Sequence, residues 1–86
     1  MLKVLYLLLN SIISGYSCIC LIDNEFLKSK YTNIKELINS ISDIVKKYNI
    51  TDIYVTTDGI DDYVIDSLKI NEIVGKCKIE KLKEVK

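Results

Sequence analysis

"LLLNSIISGYSCICLI", residues 7–22, holds no charged side chain, and the uncharged run reaches back to Val4. Three structures accommodate such a run: a membrane-spanning helix, a secretion signal, or two strands of a buried sheet. Val4 to Ile22 is nineteen residues, close to the roughly 20 that cross a bilayer as a helix. Its centre, however, carries Asn10, Ser11, Ser14, Gly15, Tyr16 and Ser17, polar and turn-forming groups at the depth where polar groups are most costly. As a signal, the stretch offers only Val4–Leu9 as its apolar segment, and Gly15 stands where a lipoprotein cleavage box carries Leu before its Cys. Val4–Leu9 has instead the length and composition of a buried strand, and Tyr16–Ile22 is similarly strand-compatible. The stretch is read as a hairpin, with no membrane span.

The remaining segments extend that hairpin into a sheet. Strand one is expected from about Lys3 to Asn10, a turn over Ser11–Gly15, and strand two from Tyr16 to Ile22. Asp23-Asn24 suits a two-residue turn because both types tolerate positive φ. Strand three then runs from Glu25 to Tyr31, its Lys28 and Lys30 fitting an exposed edge. Ile34, Leu37, Ile38, Ile41, Ile44, Val45 and Tyr48 repeat at helical spacing and predict a one-sided helix. Asn33 with Glu36 marks its start in the manner of a capping box, and Asn49 its stop. Ile53–Thr57 reads as strand four, and a shorter helix is expected from about Ile60 to Lys69. Ile70–Gly75 is a connection of unassigned state. Lys76–Val85 is read as a last edge strand, with a short helix as the alternative.

The order is therefore β-β-β-α-β-α-β, an α+β or α/β arrangement with helices packed on a mixed five-stranded sheet. A right-handed crossover brings strand four parallel to strand one. Strand one would be central and covered on both faces, which accounts for its unbroken apolar run.

Composition narrows the chemistry. The 86 residues make a single expected domain, residues 1–86, with 49% hydrophobic and 28% charged residues and no net charge. Every basic residue is Lys; without Arg there is no planar fork for guanine edges or phosphates, so nucleic acid is an unlikely partner. There is no His, the commonest neutral-pH base and metal ligand. Three Cys, an odd number, argue against a disulfide framework and for a reducing, cytoplasmic setting.

"LLLNSIISGYSCICLIDNEFL" resembles the opening hairpin of the ribonuclease H-like and actin-like ATPase superfamily, whose element order is the one above. It is most similar to the TsaB family, scaffold subunits of tRNA threonylcarbamoyl-adenosine synthesis, whose opening strands read I-D-T-S-T, three residues, then S-V-A-L-L. On that likeness Asn10 stands at the Asp, Ser11 at the Thr, and Ser17–Leu21 on strand two. Gly15-Tyr16 matches the Gly and aromatic that precede strand two in the YqgF and RuvC-type nucleases. The likeness covers residues 3–57 as a pattern; the Gly-rich loop of TsaB-like proteins is replaced here by Thr57-Asp58-Gly59-Ile60-Asp61. Nucleases of this fold bridge two Mg²⁺ ions with a strand-one carboxylate. A carboxylate is anionic with two acceptor oxygens, whereas the Asn10 amide is neutral with one. Asp58 falls near the strand-four acid, with Asp61, Asp62 and Asp66 following; they serve equally as caps and dipole partners of the second helix.

No catalytic residue is assigned. Asn10, Asp58, Asp61 and Asp62 are candidates for a ligand or a weak Mg²⁺ site, with no other cofactor expected. Tyr16, Tyr31 and Tyr63, near element ends, are expected to be exposed and to serve an interface; Tyr6, Tyr48 and Tyr54 are expected at the core or its edge. The expected function is a non-catalytic protein-binding module, such as a phage-type accessory protein that inhibits a host defence complex (an anti-CRISPR). The alternative is a metal-dependent nuclease or small-ligand-binding domain, and a homodimer through sheet edges is a further expectation.

Overall fold

Two tight turns decide how the uncharged run folds. The computed structural model of the chain describes residues 2–58 and 62–82, with the side chains of all but Thr57, Asp58 and Asp62. The first strand, β1 (Val4–Ile12), runs two residues beyond the expected end and meets β2 (Gly15–Ile22) across a turn of only Ile13 and Ser14. Gly15 adopts φ +147°, and a Cβ there would drive into the carbonyl oxygen of Tyr31 on the next strand, so only glycine lets the strands approach. Asp23 and Asn24 then take φ 49° and 67°. Two successive left-handed residues form the twist-compatible hairpin that starts β3 (Glu25–Tyr31).

The helix α1 (Ile34–Tyr48) begins where its sequence signal places it. Asn33 Oδ1 accepts the Glu36 N–H at 2.9 Å, satisfying one of the free donors of the first turn. Glu36 reaches back, its Oε2 accepting from the Thr32 hydroxyl at 3.0 Å and the Thr32 N–H at 3.3 Å. Asn49 closes the helix in the left-handed region at φ 54°. The strand β4 (Asp52–Asp58) follows, then α2 (Asp62–Ile70); the expected start of that helix at Ile60 lies outside the described residues. The unassigned connection is built on Asn71, whose Oδ1 accepts the N–H groups of Ile73 and Val74 at 3.0 Å each. That turn leads through a 3₁₀ segment, Val74–Lys76, into β5 (Lys78–Lys81).

The five strands form one mixed sheet in the order β3-β2-β1-β4-β5. β4 lies parallel to β1, and β5 parallel to β4, while β1, β2 and β3 are antiparallel neighbours. The lysine-bearing strands β3 and β5 occupy the two edges, as the sequence predicts.

One expectation fails. β1 is central but not covered on both faces: Leu5, Leu7 and Leu9 are buried, whereas Tyr6 is 45% exposed and Leu8 only half-buried. The cause is topological. Both helices belong to crossovers that advance across the sheet in the same direction, and crossovers of one hand moving one way lie on one face. The sealed core of the described residues therefore gathers on that side and includes Leu5, Leu7 and Leu9 of β1 with Cys18, Cys20 and Ile22 of β2, Ile53 and Val55 of β4, Leu37 and Ile41 of α1, and Leu68 of α2. Each large aliphatic side chain so buried contributes about 1.5–3 kcal/mol.

Candidate functional site

The other face of the sheet carries no element of the described chain, yet it is mostly apolar. Side chains alternate across a strand, so the register fixes its composition. One row across the strands reads Phe26, Leu21, Tyr6, Tyr54, Glu80; the next reads Lys28, Ile19, Leu8, Thr56. Tyr6 and Tyr54, side by side on β1 and β4, stack with ring centroids 5.5 Å apart and planes at 23°. Phe26 is 68% exposed, although it stands beside Leu21 rather than alone. A broad, open basin of about 750 Å³ lies over this face, lined by Tyr6, Leu8, Ile19, Leu21, Phe26 and Lys28. A smaller one of about 340 Å³ lies on the helical side between α1 and α2.

Charged side chains rim the open face along both edges. Lys28 and Lys30 project from β3, and Asp52, Lys78 and Glu80 from β4 and β5, by the same register rule. Lys78 stands beside Glu80 with Nζ to Oε1 at 3.4 Å, and that hydrogen bond and charge raise its pKa.

The sequence-predicted residues fall in three places. Asn10 and Asp58 are direct partners in the β1–β4 register, at the carboxyl ends of both strands. The Asn10 Oδ1 is buried and has no hydrogen-bond partner. Asp62 opens α2, and Asp61 lies outside the described residues. No cluster of three or more His, Cys, Asp or Glu able to hold a metal ion occurs among the described residues.

The tyrosines exchange roles. Tyr16 and Tyr31 are half-buried and pack against the core, and the Tyr31 hydroxyl lies 2.6 Å from Ser40 Oγ of α1. The exposure expected of them is not found, because their strand positions share parity with Cys18 and Cys20 and so point under α1. Tyr63 is 61% exposed on α2 and lines the smaller basin with Ile34 and Ile38. Tyr6, expected at the core or its edge, is 45% exposed at the centre of the open face. The signal available in the sequence was the period-two set Phe26, Lys28, Lys30, which marks one side of β3 as outward and, through pairing, the same side of β2 and β1.

Cys18 and Cys20 lie on the covered face with their sulfurs 3.6 Å apart, unbonded. Whichever thiol ionises is held by the S–H of the other, so the second proton is hard to remove. The pKa of Cys18 is pushed far up by the hydrogen bond with Cys20, then by burial, then by the Cys20 charge. That of Cys20 is lowered by the same hydrogen bond against the effect of burial. Such thiols are core groups, inert as nucleophiles.

No helix of the described residues is long and apolar enough to cross a membrane. Comparison with protein-family models, with curated proteins and with solved structures found no match.

Proposed function

We propose that this chain is a non-catalytic protein-binding module whose contact surface is the open face of its sheet. One observation carries the proposal: Tyr6, Leu8, Ile19, Leu21, Phe26 and Tyr54 form a contiguous apolar field with a polar margin. Monomeric soluble proteins rarely leave such a field open, and aromatic anchors with a charged rim are the anatomy of a protein interface. The element order and the strand order β3-β2-β1-β4-β5 support assigning the domain to the ribonuclease H-like fold in minimal form. With Asn10 at the bridging position, that assignment carries no two-metal catalysis. Inhibition of a host defence complex by a mobile-element accessory protein is a statement about the partner, and the flanking genes are the observation that tests it.

The experiment compares faces. Leu21→Asp and Phe26→Asp abolish capture of a partner that the unmodified chain captures, while Tyr63→Asp on α2 leaves it intact. Equal capture by all three variants refutes the assignment of the face.

A second reading rests on Asn10. Its buried, unpartnered Oδ1 beside the Asp58 position supports a polar ligand or divalent cation at the carboxyl ends of β1 and β4. Titration with Mn²⁺ would then broaden the amide resonances of Asn10 and Ser17 in the wild type and not in Asp58→Ala. Unchanged spectra in both remove this reading.

A further inference from the structure

We infer that the outer edge of β3 is a second contact surface, which takes an extended acidic peptide segment of a partner protein as an additional antiparallel strand. This surface borders the open face and goes beyond it: what binds here is the backbone of one strand, and the occupant is read from the groups that strand presents.

The turns fix which backbone groups are free. Ile12 and Gly15 flank a two-residue turn, as do Ile22 and Glu25, and residues flanking such a turn exchange both of their hydrogen bonds. Hydrogen-bonded pairs alternate with unbonded ones along an antiparallel ladder. Counted from the first turn, Tyr16, Cys18, Cys20 and Ile22 of β2 bond to β3; counted from the second, the same four do. On β3 the bonded residues are therefore Glu25, Leu27, Ser29 and Tyr31, so the N–H and C=O groups of Phe26, Lys28 and Lys30 point away from the sheet. No strand of the described residues lies beyond them. β3 is exposed as far as Tyr31, and its seven residues pair with β2 without a bulge. Both of its ends are tied down. Lys3 Nζ donates to the Asp23 carboxylate at 3.0 Å before it, and the Tyr31 hydroxyl meets Ser40 of α1 at its end. A template held in this way loses little freedom when a strand docks on it. The opposite edge, β5, offers only four residues, with Lys78 and Glu80 already paired.

Charge chooses the occupant. The side chains of Phe26, Lys28 and Lys30 share the open side of the sheet, and an added strand sets one residue about 5 Å from each on that side. Neither lysine enters an ion pair among the described residues. Two copies of β3 paired antiparallel along their full length would meet at Lys28, like charge against like charge; edge lysines discourage such self-pairing. The strand that fits carries carboxylates opposite Lys30 and Lys28 and an apolar side chain opposite Phe26, which is 68% exposed. Run antiparallel, it reads from its amino end acidic, any, acidic, any, apolar.

The probe is the peptide acetyl-Thr-Glu-Thr-Glu-Val-Tyr-Thr-amide, titrated into the full chain and followed by amide NMR and hydrogen exchange. A Kd on the order of 0.1–1 mM is expected, the range that a few backbone hydrogen bonds and two charge pairs supply. The Phe26, Lys28 and Lys30 amides should move downfield and become protected, while those of Leu27 and Ser29, already bonded to β2, change little. The same peptide with Lys in place of Glu should bind at least about 10-fold more weakly. Lys28→Ala should cost about 3-fold, and Lys28→Pro at least about 10-fold more, because proline removes an outward N–H without breaking the ladder to β2. Circular dichroism checks that the proline variant is folded. Should it not fold, Lys28→Glu/Lys30→Glu serves instead, and is expected to prefer the lysine peptide. Absence of binding overturns the proposal, as do equal affinities for the two peptides, shifts that spare the three outward amides, or protection of those amides by raising the protein concentration alone, which would assign the edge to a second copy. None of these outcomes touches the open face, where capture is read by Leu21→Asp on an internal strand.

Discussion

Leu7 and Leu8 are neighbours on β1 and should respond to truncation very differently. Leu7 is 2% exposed and lies between Cys20 and Val55 on the helix-covered side. Its replacement by Ala loses both transfer free energy and packing around a closed cavity, about 3–5 kcal/mol. Leu8 lies between Ile19 and Thr56 on the open side and is half-buried. Its truncation leaves no sealed cavity and forfeits only part of the transfer term, about 1 kcal/mol. A domain of this length has a total stability of roughly 4–13 kcal/mol, so Leu7→Ala removes a large share of it and Leu8→Ala little. In melting temperature the first falls by about 12 °C or more and the second by about 4–8 °C. Urea denaturation followed by circular dichroism at low protein concentration measures both losses. Equal losses for the two variants at low concentration would refute the one-sided core, since both faces of β1 would then be covered.

Three further outcomes follow from local chemistry. Gly15→Ala destabilises by about 2 kcal/mol or more, measured by thermal melting, because a left-handed backbone and a clash with the Tyr31 carbonyl act together. Asn71→Ala orphans the N–H groups of Ile73 and Val74 and costs about 1–3 kcal/mol, whereas Asn71→Asp, which keeps the acceptor, costs less; equal losses would refute the acceptor role. The thiol pair makes stability fall at alkaline pH. Above the unfolded thiol range, about 8.5, the unfolded chain releases both protons but the folded pair releases at most one, since Cys18 is held protonated. Stability therefore declines above that range, by up to about 1.4 kcal/mol per pH unit, as Cys18 stays protonated; the lowered pKa of Cys20 adds stability near that range that is lost as pH falls through its folded value. The double variant Cys18→Ala/Cys20→Ala should show a flatter decline, and an identical slope would remove the pair as its cause.

Much of the fold was legible because local signals agreed with one another. The Asn33–Glu36 cap, the helical stripe from Ile34 to Tyr48 and the Asn49 stop each name the same boundaries, and the structure has them. The Asp23-Asn24 turn was legible from residue chemistry alone, for few types accept two left-handed positions in a row. The connection after α2 was not, because its organising element is a side-chain acceptor: Asn71 bonds backbone groups two and three residues on, and nothing in periodicity announces such a turn. The extra length of β1 was hidden similarly, since Ser11 and Ile12 pair with Tyr16 and Gly15 inside a stretch whose composition reads as turn.

The site was missed for a more general reason. An unbroken apolar strand says that both of its faces are removed from water, and the natural inference is that the chain itself removes them. The structure separates the two statements. Leu5, Leu7 and Leu9 are sealed by α1 and α2, while Val4, Tyr6 and Leu8 point where the described chain supplies no cover. Crossover handedness already forbids the two helices from covering both sides when both connections advance the same way. Hence the apolar run of β1, taken with the β-β-β-α-β-α-β order, leaves an apolar face that neither α1 nor α2 covers, the face proposed above as the contact surface. The half of the strand that the helices do not cover is the half on which the proposed contact surface is built.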